Sequence, residues 1–410
     1  MHFWPPFAYV RGLRIDYLSP TVYLTDILAA ALIIVCLFTV KSSGKIKITN
    51  LIAVLIFFAT AGLNIYSSRS PQVSLYKWLK VLELTFIFII SRKILNIKNI
   101  KPLIAIFFIQ SIVILISALG QIYRQSALGG FWYWLGERSF NIATPGIATA
   151  VINGYLYFRP YSFFSHPNQM AGYFLISGLI IFSWQEFVFK NEVFRKLIYI
   201  EVLISFLIIL LSLSRSALAV FVCSIVALHI LNHPGVFRYG LRRNYGAAVI
   251  AALAMFTFFL PTLYFRFGAL FSSDKYTILN RRLLNQEAIK YFYHSPLAGI
   301  GLGNFSILSA DQQFLGNSFY LIGQPVHNIF LLLLAETGII GMTAFFYILF
   351  LTAKRLWRFH SPQLIIFLAI FFLGLFDHYL FTLQQTQMLL AFTFGLFWSR
   401  LVIAKPATYN

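Results

Sequence analysis

"QPVHNIFLLLLAETGIIG", residues 324–341, runs from a polar Gln-Pro-Val-His-Asn segment straight into an apolar stretch. A histidine and an asparagine stand at the threshold, and Glu336 follows nine residues after His327. The apolar run is long enough to begin a membrane span, since about 20 apolar residues in a helix cross about 30 Å of hydrocarbon. Similar runs recur from end to end of the 410 residues. The chain is 59% hydrophobic and only 11% charged, where a soluble domain of this size carries about 25% charged residues. Alternating ten-residue segments of the barrel type are absent, so the spans read as helical.

Eleven spans are expected, at roughly 22–40, 48–66, 74–91, 102–122, 169–187, 196–213, 216–231, 246–264, 327–352, 363–381 and 385–403. The formal charge of +20 does not point to nucleic acid, because the basic residues form short clusters between apolar runs rather than one face. Alternate connections carry Lys41, Lys45 and Lys47; Arg92, Lys93, Lys98 and Lys101; Lys190, Arg195 and Lys196; Arg238, Arg242 and Arg243; and Lys354, Arg355 and Arg358. Short loops rich in Lys and Arg face the cytoplasm. The alternation sets the N-terminus outside and the C-terminus inside. No cleavable signal peptide is visible, and Cys36 and Cys223 both sit in apolar runs where they read as packing residues.

The same rule puts two long connections, about 123–168 and 265–326, on the extracytoplasmic side. Connections that long in a compact protein are commonly functional. "FWYWLGERSF" (131–140) is aromatic enough to lie at a lipid–water boundary. "YTILNRRLLNQEAIKYFY" (276–293) spaces Ile278, Leu283, Leu284, Ala288, Ile289 and Phe292 as one face of an amphipathic helix. The expected architecture is therefore all-α: one polytopic membrane domain, residues 1–410, with an ordered outer cap.

The outer side is rich in arginine: Arg11, Arg14, Arg69, Arg124, Arg138, Arg159, Arg215, Arg266, Arg281 and Arg282. Arginine's planar fork grips two phosphate oxygens and stays charged at neutral pH. Single loop arginines also snorkel to lipid headgroups. Arg215 stands apart, because "LSLSRSALAV" (211–220) places it in a turn between two apolar spans, where a cation needs an anionic partner. "RPYSFFSHPNQMAGYFL" (159–175) repeats the pattern of the opening stretch: Arg159, His166 and Asn168 precede a span that Pro167 can open. His166 suits helix capping as well as chemistry.

His327, with an unperturbed pKa near 6.5 for its residue type, suits proton transfer at neutral pH. Glu336 falls about 13 Å further along a helix, at about 1.5 Å per residue, so it is assigned to polar packing between helices. Gly338 and Gly341 would permit close helix approach. "HSPLAGIGLGNF" (294–305) lacks both a preceding strand and a Walker lysine, so it reads as a backbone turn and not a nucleotide loop. Scattered acidic residues, with no D-x-D pair and no H-E-x-x-H, do not suggest a metal site, and G-x-S-x-G is missing.

Five stretches in order resemble the O-antigen ligase and polymerase superfamily of bacterial envelope glycosyltransferases: "RPYSFFSHPNQMAGY", "LSLSRSALAV", "RRLLNQEAIKYFYHSPLAGIGLGNF", "HNIFLLLLAETGIIG" and "GLFDHYLFTLQQTQ". They cover 159 to about 387. The resemblance implies a GT-C-type membrane fold and a metal-independent enzyme without cofactor. It also implies transfer of a glycan from an undecaprenyl-pyrophosphate carrier to an acceptor hydroxyl at the outer face of the bacterial cytoplasmic membrane. The acceptor would be lipid A-core, a growing polysaccharide or a protein. By motif position His327 matches the family's essential histidine, Arg215 the arginine after small polar residues, and Arg281 the loop arginine fifteen residues before Pro296. Adjacent Arg282 leaves that last assignment open. Arg159, His166, Asn168 and Asn328 are candidate substrate-binding residues. Many relatives carry a further apolar span before the "DYLSPTVYLTD" type of segment, where only 15 residues precede it here. A polyprenyl-glycan flippase or other polysaccharide transporter is the alternative, although transporters place ionisable groups at the bilayer midplane.

Overall fold

The computed structural model describes residues 3–39, 48–144, 146–152, 155–188, 190–232, 275–315 and 323–403. The expected span 246–264 and Arg266 lie outside the described residues. Helix dominates, in the order α1 (Leu24–Thr39), α2 (Ile48–Tyr66), α3 (Pro71–Ile94), α4 (Ile100–Arg124), α5 (Pro167–Ser183), α6 (Glu192–Ser212) and α7 (Arg215–Asn232). There follow α8 (Lys275–His294), α9 (Phe305–Leu315), α10 (Ile329–Arg358), α11 (Gln363–Phe376) and α12 (Gln384–Trp398). Two antiparallel hairpins, β1 (Tyr9–Val10) with β2 (Leu13–Arg14) and β3 (Thr149–Ile152) with β4 (Tyr155–Phe158), supplement the expected all-helical reading.

Among the described residues, two helical stretches are long and apolar enough to cross a membrane by length and composition, Ile97–Arg124 and Ile329–Arg358. Others are apolar but shorter, including Gln363–Phe376. The helix expected at 363–381 stops at Phe376 and leaves Asp377 and His378 outside it, while the one expected at 327–352 runs on to Arg358. Large apolar side chains lie on the surface, among them Ile106 at 60%, Ile109 at 62% and Phe350 at 60% exposure. Apolar surface on that scale marks a membrane-facing or partner-facing side.

The chain divides into two compact units. The first holds 1–91, 276–352 and 374–382; the second holds 92–275, 353–373 and 383–410.

In the first unit the N-terminal hairpin turns through Arg11 and Gly12, both at positive φ (48° and 81°), which is the backbone twist a two-residue hairpin loop demands. It covers a cluster of Ala8, Ile15, Leu18, Val73 and Ala310. The 294–305 segment is the turn expected, and its partner is α10. Gly338 adopts φ 62°, ψ −165° inside α10 and breaks the helical path. Ile339 N–H donates to Pro296 O (2.8 Å), while Ile300 and Gly301 N–H donate to Ala335 O and Glu336 O (3.0 Å each). A Cβ at Gly338 would lie 2.4 Å from Leu297 O, and one at Gly299 would lie 2.3 Å from the Glu336 backbone. Gly338 therefore makes room for a loop backbone, and the close helix approach expected there is not what it provides. Glu336 accepts from Phe305 N–H (3.1 Å), opening α9, and its carbonyl accepts from Asn64 Nδ2 on α2 (2.8 Å). Its polar packing thus involves a helix start as well as another helix.

The second unit is built around α5, of whose seventeen residues all but Asn168 and Tyr173 are buried. A helix apolar on every side belongs at the centre of a bundle. Gly178 allows the approach of α6 and α7, since a Cβ there would sit 3.0 Å from Ser205 Oγ and 3.3 Å from Phe221. Asn191 caps α6 by accepting from Phe194 N–H (3.2 Å). The helix closes on Leu213 at φ 54°. Only Leu213 and Ser214 separate α6 from α7, so Arg215 opens the returning helix.

Candidate active site

In the first unit the site grows from the break between Val326 and α10. Asn328 caps the helix: its Oδ1 accepts from Phe330 N–H (2.9 Å) and Leu331 N–H (3.0 Å). The first amides of a helix lack carbonyl partners, and Asn side chains supply them. Its Nδ2 donates to Leu375 O (3.3 Å), one of the carbonyls orphaned at the end of α11. Gly374 lets those two helix ends meet, with Ile329 Cδ1 3.2 Å from where a Cβ would stand. Asn328 thereby fixes the position of its neighbour His327 relative to Asp377.

His327 is half-buried, with its side chain 20% exposed, and its Nδ1 stands 3.4 Å from Asp377 Oδ1. At that separation and alignment the pair is not yet a hydrogen bond, and His327 Nδ1 is buried without such a partner among the described residues. Asp377 Oδ1 also accepts from His378 N–H (2.9 Å). The His378 ring lies 5.0 Å from the His327 ring, centroid to centroid, and meets Tyr17 edge-on at 5.7 Å. Its Nδ1 is 2.7 Å from Thr382 Oγ1, and that hydroxyl donates to His378 O at 3.2 Å.

α8 borders this segment. Leu284, Ala288 and Tyr291 are buried in one cluster with Val326, Leu332 and Ala335, which flank His327 in sequence. The buried stripe is thus 284, 288 and 291, whereas Leu283 (46% exposed) and Ile289 (44%), which the sequence suggested for the same face, lie off it. Arg281 precedes Leu284 by three residues and continues that stripe, half-buried, while Arg282 is exposed. Outside the apolar spans, burial raises the Glu287 carboxyl above its usual range, opposed by Ser309 and Lys290.

In the second unit the residues before α5 form an ordered loop. Gln121 Oε1 accepts from Tyr161 N–H (2.9 Å) and Ser162 N–H (2.8 Å), while its Nε2 donates to Glu137 (2.7 Å). His166 caps α5, its Nδ1 accepting from Asn168 N–H (3.0 Å). Arg159, 6% exposed, donates from Nε to Ser212 O (2.8 Å) and from a terminal nitrogen to Asn168 Oδ1 (2.6 Å). Arg159 therefore ties the start of α5 to the C-terminal carbonyls of α6, where the helix dipole favours a cation. Gln169 donates to Gln385 (2.9 Å), and Gln385 donates to Phe163 O (3.1 Å), bracing the same loop. Arg215, half-buried, begins α7, whose first amides favour an anion.

In the second unit Arg159, His166 and Asn168 meet at the start of α5, and Arg215 follows Ser212, whose carbonyl holds Arg159, by three residues; in the first unit Asn328 caps the helix beside His327, and Arg281 lies in line with the buried stripe of α8. Asp377 and His378 were not singled out in the sequence, although "GLFDHYLFTLQQTQ" carries them. The signal available was two adjacent polar residues interrupting an apolar run.

The family model described as O-Antigen ligase matches residues 200–346, and the match supports placing the chain in the O-antigen ligase and polymerase superfamily. Arg215, Arg281, Arg282 and His327 lie within the matched segment; Arg159, His166, Asn168, Asp377 and His378 lie outside it. No curated protein matches the chain. Proteins of this family are membrane proteins, in keeping with the apolar helices. The match spans less than half of the 410-residue chain and shows similarity to O-antigen ligases over that segment.

Proposed function

We propose that the protein transfers a glycan from an undecaprenyl-pyrophosphate carrier to an acceptor hydroxyl on the outer face of the bacterial cytoplasmic membrane. The observation that carries this reading is the family match, which contains the histidine and both arginines that the motifs single out.

His327 is the general base. Asp377 beside Nδ1 holds the ring as the Nδ1–H tautomer, which leaves the Nε2 lone pair to take the acceptor proton. In unliganded enzymes such contacts are commonly long and tighten when substrate binds. The acceptor oxygen forms its bond to the anomeric carbon as the carbon–oxygen bond to the pyrophosphate breaks. That electron pair stays on the leaving diphosphate, and a single displacement inverts the centre. Arg215 and Arg281 neutralise the growing diphosphate charge, a task guanidinium forks perform without a metal. Arg159 positions the loop before α5 and stands as a helper on the same substrate.

Supplying purified protein in liposomes with an undecaprenyl-pyrophosphate glycan and a lipid A-core or saccharide acceptor tests this directly. Release of undecaprenyl pyrophosphate matched by glycosylated acceptor is expected. Movement of the intact donor across the bilayer, with no bond broken, would identify a flippase instead.

A further inference from the structure

We propose that His327, Asp377 and His378 form a three-ligand site for a divalent transition cation of the Zn2+ class, and that the cation silences the enzyme by occupying its base. One ligand atom from each residue lies within 4.8 Å of the others. Two imidazoles and a carboxylate are the donor set that borderline cations prefer over Mg2+ or Ca2+, which take oxygen ligands.

Two features distinguish this group from a chance gathering of polar side chains. The first is spacing. Zinc bonds of about 2.0–2.1 Å in a tetrahedron put neighbouring ligand atoms about 3.3 Å apart. His327 Nδ1 and Asp377 Oδ1 already stand 3.4 Å apart, and that Nδ1 is a buried nitrogen lacking a hydrogen bond among the described residues. The second feature is the support behind the ligands. Metal-binding histidines donate their other ring N–H to an acceptor that fixes tautomer and orientation. Thr382 Oγ1, 2.7 Å from His378 Nδ1, stands where such an acceptor belongs. The half-buried edge of His327 leaves a route in, and a fourth position is left for water or an acceptor oxygen.

The consequence for catalysis rests on the reading of His327 as base. A neutral imidazole has one lone pair. A cation on Nδ1 takes it and leaves the proton on Nε2, so the acceptor hydroxyl has no base. Catalysis itself remains metal-independent, and the cation acts as a reversible inhibitor.

The test is equilibrium dialysis of the chelator-stripped, detergent-purified full chain against Zn2+, with the visible spectrum of Co2+ as a second readout. One tight equivalent is expected in the parent, undiminished by excess Mg2+ or Ca2+. His327→Ala, Asp377→Asn and His378→Gln should each lose it, and Thr382→Val should weaken it about tenfold or more. Unchanged gel-filtration profiles and thermal midpoints establish that the variants are folded. No bound equivalent in the parent, or one that persists in an Asp377→Asn/His378→Gln double variant, overturns the site. Glycan transfer measured over the same Zn2+ range should fall as the site fills and recover with chelator. Filling without inhibition would leave the site standing and remove His327 as the base.

Discussion

Asp377 Oδ1 lies 3.4 Å from His327 Nδ1, across 50 positions of sequence, because α11 ends at Phe376 and Asn328 ties that end to the start of α10. In the proposed mechanism Asp377 orients the ring. Asp377→Asn keeps the shape and removes the charge that holds the Nδ1–H tautomer. It should lower kcat at least about tenfold, about 1.4 kcal/mol of transition-state stabilisation, with little change in KM for the donor. Steady-state kinetics at matched protein levels decide it. A matching rise in KM with kcat intact would make Asp377 a substrate-binding group.

Arg215 and Arg281 should not tolerate lysine. Lysine keeps the charge and loses the fork that grips two phosphate oxygens. Arg215→Lys should fall at least about tenfold in donor turnover, about 1.4 kcal/mol. Arg281→Lys should also fall, and Arg282→Ala should fall least, because Arg281 continues the buried stripe of α8 while Arg282 is exposed. Donor binding and consumption like the parent's in both lysine variants would make these arginines membrane anchors.

Gly338→Ala should destabilise the protein by about 2 kcal/mol or more, since alanine both resists positive φ and meets Leu297 O at 2.4 Å. Thermal unfolding in detergent measures it. A neighbouring control, Ile339→Ala, removes an exposed side chain without touching that backbone contact and should cost far less. Equal midpoints for Gly338→Ala and the parent would contradict the close approach of the two backbones.

The burial that raises the Glu287 carboxyl gives its stability contribution a sign. A raised carboxyl binds its proton more tightly in the folded state, so its contribution is fully present below the ordinary glutamate range. It is lost as pH rises through the raised value. Glu287→Gln should therefore raise the thermal midpoint at neutral pH relative to the parent and narrow that advantage on acidification. An advantage that grows on acidification would reverse the assignment.

What the sequence carried well was local. The α8 helix, the 294–305 turn, the polar threshold at 327–328 and the loop before α5 all follow from spacing, Gly and Pro placement, and capping residues. Long-range relationships were not legible. Nothing in the run 363–381 shows that the helix stops at Phe376, because Tyr379, Leu380 and Phe381 are apolar enough to continue it. The pairing of Asp377 and His378 with His327 depends on that stop. Gly338 looked like a helix-packing residue for the same reason: its loop partner, Leu297, is 41 positions away. His166 and Asn168 resembled His327 and Asn328 in sequence, yet here His166 is the cap and Asn168 pairs with Arg159, while Asn328 is the cap and His327 is left beside a carboxylate.

The most direct measurement compares the parent and His327→Ala, purified and reconstituted at equal protein level, on undecaprenyl-pyrophosphate glycan and acceptor with excess chelator present. Product is resolved on a gel and released undecaprenyl pyrophosphate is quantified alongside. The parent should turn over undiminished by chelator, and the folded variant should form no product while still binding donor. Parent-like turnover by His327→Ala, or loss of the parent's activity to chelator with recovery on adding a divalent metal, would contradict a metal-independent transfer with His327 as its base.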